Sequence, residues 1–109
     1  MATFAAATAE KIGRYLGYPV SNVSQSEIAA ALTAIEGMTN TTYSDNSIAA
    51  IESYITRLDA LVTAINTQTT TEGSTLLPEL RREYRRFCAL TAIATGLPIF
   101  TDTAGATQA

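Results

Sequence analysis

Apolar residues recur along this chain at helical spacing, and nowhere do they alternate over the length a strand would need. The longest stripe is Ile48, Ile51, Ile55, Leu58, Val62 and Ile65, separated by 3, 4, 3, 4 and 3 positions, two per heptad. It predicts a spine helix from 45 to about 66, roughly 33 Å long at ~1.5 Å per residue. Ser44 is its expected cap, with Tyr43 and Ile48 at the flanking staple positions. Leu61 and Tyr54 broaden the stripe, so this helix should meet more than one neighbour.

Three shorter segments have the same character. Phe4, Thr8, Ile12 and Leu16 recur every four residues, which predicts a helix that starts at Thr3 or Thr8 and ends at Leu16. Gly13 weakens it by ~1 kcal/mol relative to alanine. Gly17 and Pro19 then stop it. If Thr8 is the cap, Met1–Ala7 is an arm. Ser24-Gln25-Ser26-Glu27 reads as a capping box with Val23 and Ile28 as its staple, opening a helix with Ile28, Leu32 and Ile35 on one face and Gly37 at its end. After the polar stretch Thr67–Ser74, Pro78 is suited to the first turn of a last helix. Leu80, Tyr84, Phe87, Thr91 and Ala94 line one of its faces with Cys88 beside them, and Gly96 and Pro98 end it. The expected architecture is all-α, a small four-helix bundle over residues 1–98 followed by a tail, 99–109.

Composition narrows the chemistry. A chain of 109 residues with 47% hydrophobic and 16% charged residues has enough apolar side chains for one folded core. No apolar run approaches the ~18 residues of a membrane span, and Met1–Glu10 lacks the basic start of a secretory signal. Cys88 is the sole cysteine and histidine is absent, which removes an internal disulfide, cysteine-based metal sites and most nucleophile–base pairs. The expectation is a protein that acts by binding, with no catalytic residue, metal or cofactor.

Net charge is −3, unevenly spread: residues 79–86 carry four arginines against two glutamates, so the rest of the chain carries −5. On a helix, Arg81/Arg85 and Arg82/Arg86 each stand one turn apart, making a basic face on which Glu79 and Glu83 can pair with Arg82 and Arg86. That face reads either as a solvated surface with local ion pairs or as a dock for an acidic protein or phosphate, which arginine forks suit. Sequence-specific nucleic-acid reading is disfavoured, because the patch is short and no motif would hold it in a groove. Glu52 and Asp59, two turns apart on the spine, read as a solvated polar face, and Cys88 as a small buried hydrophobe. Tyr15 and Tyr18 flank Gly17 and are read as core, with a small aromatic knob as the alternative. Ile99-Phe100 either folds back on the bundle or anchors in a partner, with Thr101–Ala109 as an arm.

The run Ile12-Gly13-Arg14-Tyr15-Leu16-Gly17-Tyr18-Pro19, the Ile/Leu spine and the helix Leu80-Arg81-Arg82-Glu83-Tyr84-Arg85-Arg86 ending in Gly96-Leu97-Pro98 resemble small helical head–tail adaptor proteins of tailed bacteriophages. The resemblance spans roughly residues 8–98 by pattern and size rather than by a diagnostic motif. It implies a virion subunit, assembled in the host cytoplasm, whose identical copies form a ring of roughly twelve beneath the capsid portal. Such a ring extends the DNA channel and meets the next neck or tail component. It would make only non-specific contact with DNA in the channel and none with membrane. On that reading Arg81, Arg82, Arg85, Arg86, Ile99 and Phe100 are the partner-binding candidates, with Ile99–Ala109 and the Thr67–Ser74 loop as clasps.

Overall fold

The computed structural model describes residues 2–69 and 76–104. Residues 70–74 of the expected polar loop and 105–109 of the tail therefore lie outside the described residues. Four helices follow in order: α1 (Thr8–Leu16), α2 (Asn22–Glu36), α3 (Thr41–Thr69) and α4 (Leu77–Thr95). No strand occurs among the described residues, and the fold is an all-α four-helix bundle.

The spine stripe does what its spacing demands. Ile48, Ile51, Ile55, Leu58 and Ile65 are buried and Val62 is half-buried, while Leu61 joins the core from the flank. The helix is longer than the stripe: its 29 residues make a rod of about 43 Å at ~1.5 Å per residue. Asn40, not Ser44, starts it, its side-chain oxygen accepting from the Tyr43 amide at 3.0 Å. Ser44 is fully buried inside the helix, and its hydroxyl donates to the Ile35 carbonyl near the end of α2 at 2.6 Å. A residue read as a cap is thus a tie between two helices. Tyr43 is 64% exposed, so the staple with Ile48 does not form.

The start of α2 also shifts. Ser21, in extended conformation, is the N-cap, and its hydroxyl oxygen accepts from the Ser24 amide at 3.2 Å. Ser24 faces the core and Glu27 faces water, so the expected box between them is absent. Val23 points outward and cannot staple Ile28. Two serines three residues apart offer rival caps; Ser21 takes the role, and Ser24 becomes part of the buried face of α2.

α1 takes the shorter of its two possible forms, beginning at Thr8, with residues 2–5 as a non-helical arm. Thr8, Ile12 and Leu16 are buried as the stripe requires. α4 begins with Pro78 in its first turn and pairs most extensively with α3. Tyr84, Cys88, Thr91 and Thr95 form its buried face. The hydroxyls of Thr91 and Thr95 donate to carbonyls four residues back at 2.8 Å, which satisfies them inside the core.

Candidate docking surface

The four arginines of α4 do not act as one face. Arg82 and Arg86 lie on the outward side of the helix, whereas Arg81 is half-buried on the flank shared with Arg85. Arg85 Nε donates to Asp102 Oδ2 at 3.0 Å, so it serves the chain's own tail. Arg86 pairs with Glu83 at 3.4 Å and lies over the Phe87 ring, which Arg57 of α3 approaches from its own helix at 5.9 Å. Glu79 makes no ion pair with Arg82 among the described residues; it sits in the first turn of α4, where a negative charge suits the helix dipole.

The tail folds back, but its backbone holds it there, not its apolar pair. The amides of Phe100 and Thr101 both donate to the Leu16 carbonyl, at 2.9 and 3.1 Å, a group left open where α1 ends. Tyr18 Oη donates to the Pro98 carbonyl at 2.7 Å. Thr103 donates to the Tyr15 carbonyl at 2.8 Å, so the hydroxyl of Tyr84, 2.7 Å away, must donate to Thr103. The Asp102 carboxylate accepts the Ala104 amide at 3.0 Å, and this bond together with Arg85 holds it below the usual carboxylate range. Ile99 and Phe100 stay 43% and 61% exposed, with the Phe100 ring resting on Tyr18. Tyr15 and Tyr18 are themselves buried, so no aromatic knob forms.

Cys88 lies beneath this strap. Burial pushes its thiol up to about 12, which keeps it protonated at neutral pH, and its Sγ–H faces the Tyr15 carbonyl at 3.5 Å. The small-hydrophobe reading of this residue agrees with its surroundings.

Glu52 and Asp59 correct the sequence reading. They are not a solvated face but the anchor of α1 on the spine. Asp59 accepts from Lys11 Nζ at 2.7 Å and from the Tyr15 hydroxyl. Partial burial would raise the Asp59 carboxyl, yet the hydrogen bonds from Lys11 and Tyr15 outweigh it and hold it below its ordinary value. Glu52 accepts from the Thr8 hydroxyl and from the Ala5 amide, the latter at 2.9 Å. Thr8 and Lys11 are 44 and 48 residues from their partners, out of range of any local pattern.

Three large apolar side chains stand in water: Val23, the expected staple, and Val20 and Ile93, which belong to no stripe or cap read from the sequence. Val20 is 95% exposed and Val23 70%, one on either side of the Ser21 cap. Ile93 is 79% exposed on the outward side of α4, half a turn of the helical wheel from the Tyr84 stripe. Their signal was present as large apolar residues off the buried stripes. Val20 also borders an open groove of about 870 Å³ between α1 and α2, whose wall includes Ala9, Tyr18, Ile28 and Ala29. Glu10 and Arg14, paired at 3.5 Å, stand at the same groove.

Among the described residues no group of three or more acidic or cysteine side chains could hold a metal ion, and no helix is long and apolar enough to cross a membrane. No known protein family, curated protein or solved structure matches the chain.

Proposed function

We propose that this protein is a structural subunit of a phage neck, forming with its own copies an adaptor ring between capsid portal and tail that extends the DNA channel. The observation that carries the reading is that several large apolar side chains stand in water on the folded bundle. Val20 borders the groove between α1 and α2, and Phe100 rests on a tail locked by backbone bonds, while Ile93 stands on the outward side of α4. Such side chains offer contact points for further copies, and head-to-tail contacts between copies close into rings when the rotation permits. The bundle, 51 × 29 × 20 Å, has a long side along which neighbours can pack. Asp102 already engages Arg85 and Glu83 engages Arg86, so the arginine helix offers less free positive charge than its composition suggests. That weighs against a nucleic-acid-associated module acting through Arg81–Arg86 as a second reading.

Native mass spectrometry of the purified chain, alone and mixed with a purified phage portal ring, tests the proposal. The expected result is several copies bound per portal, lost in an Ile93→Asp/Phe100→Asp variant that remains folded. A chain that stays monomeric and never associates with the portal overturns it.

A further inference from the structure

The arm that precedes α1 is held in an unusual way. Its amides bond to side-chain carboxylates rather than to main-chain carbonyls: Ala2 to Asp45 at 2.9 Å, Phe4 to Glu36 at 2.8 Å and Ala5 to Glu52 at 2.9 Å. Phe4 alone among these residues places a large side chain against the core, and it is only half-buried. No arginine or lysine pairs with Glu36, Asp45 or Glu52 among the described residues, where they accept from the arm's amides and the Thr8 hydroxyl.

The sequence of the arm favours a different conformation. Ala5-Ala6-Ala7 is the strongest helix-forming run available, and Thr3 is a competent N-cap ahead of it. The observed start of α1 is poor by comparison: Ala7 occupies the cap position with no side-chain bond. The amides of Ala9 and Glu10 meet no acceptor among the described residues. In a helix begun at Phe4 they would bond to the carbonyls of Ala5 and Ala6, and Phe4 would continue the Thr8, Ile12, Leu16 stripe.

We propose that residues 3–7 are a two-state segment: a strap across α2 and α3 while Glu36, Asp45 and Glu52 accept its amides, and a further turn of α1 when those acceptors are lost. Local propensity drives one state and three long-range bonds drive the other. The inference is independent of the ring, since it concerns one chain alone.

Amide exchange followed by NMR on the full chain at constant neutral pH tests it. Glu36→Ala/Asp45→Ala removes two acceptors and leaves the Thr8–Glu52 bond in place. Phe4 and Ala5 should lose protection while Ala9 and Glu10 exchange about tenfold more slowly, with helical ellipticity rising by about one turn. Adding Ala6→Gly should reverse that slowing by about fivefold. The single variant Glu36→Ala, which removes only the acceptor of the Phe4 amide, should give the same reciprocal pattern at smaller amplitude and guards against a double variant that folds poorly. Loss of protection at Phe4 and Ala5 without any gain at Ala9 and Glu10 would mean the arm merely frays, and the proposal fails. Retained protection at Phe4 and Ala5 in both variants fails it equally.

Discussion

Two glycines end two helices in this bundle with nearly the same backbone, φ 78° at Gly17 and 75° at Gly96. After α1, the Tyr18 amide reaches the Gly13 carbonyl and the Gly17 amide reaches that of Arg14, the paired bonds of a Schellman stop. After α4 a single bond from the Gly96 amide to the Ala92 carbonyl closes the simpler left-handed motif. Their surroundings differ more than their hydrogen bonds. A Cβ on Gly17 would lie 2.4 Å from the Thr101 carbonyl oxygen, whereas a Cβ on Gly96 would meet nothing within 4 Å. Gly96 only ends a helix. Gly17 ends a helix and makes room for the tail to cross it, which is how Phe100 and Thr101 reach the Leu16 carbonyl. The same local signal therefore carries different tertiary loads, and only one of the two stops is coupled to the surface proposed for docking.

The largest expected effect separates the two directly. Gly17→Ala should cost about 3 kcal/mol, combining left-handed strain with displacement of the tail. Urea unfolding measures it, and amide exchange at Phe100 and Thr101 should accelerate in parallel. In a chain ending at Pro98 the same substitution should fall to about 1 kcal/mol, the strain alone. Equal costs in the long and short chains would erase the distinction between the stops.

Tyr84→Phe comes next, at about 1 kcal/mol, because Thr103 loses the donor that joins the tail to α4. The loss should vanish in the shortened chain. Gly96→Ala should cost about 1 kcal/mol whether or not the tail is present, and should leave exchange at Phe100 unchanged. A dependence on the tail there would show that both stops bear on it.

The smallest effect is electrostatic. Folding holds the Asp102 carboxyl below its unfolded value, so its contribution is complete above about pH 4 and is lost as pH falls through the lower folded value. Asp102 and Arg85 are both more than half exposed, which limits the pair to a few tenths of a kcal/mol. Asp102→Asn should flatten the acid end of the stability curve by that amount and shift nothing at Gly96.

Local chemistry alone made the four helices legible: the 3-4 stripe of the spine, Pro78 in a first turn, and left-handed glycines at two ends. These depend on contacts three or four residues apart, and such contacts are written in sequence order. Choices between equivalent local signals were not legible. Ser21 and Ser24 are both competent caps, and in the fold Ser21 caps while Ser24 is buried inside α2. Thr3 and Thr8 are both possible starts; α1 takes the later one, with the arm's amides bonded to carboxylates on other helices.

The docking candidates were legible only in part. Ile99 and Phe100 stood out as apolar residues beyond a stop, yet the fold-back rests on main-chain amides that carry no sequence signature. Arg85 looked like free charge until Asp102, 17 residues on, took it up. Glu52 and Asp59 looked solvated because their partners on α1 are more than forty residues away. By itself the sequence determined which segments are helical and where three of them stop, since propensity, periodicity and capping act over one or two turns. Only the tertiary structure decided which polar groups are spent inside the molecule and which apolar ones stay in water, because both depend on neighbours that the chain brings together only by folding.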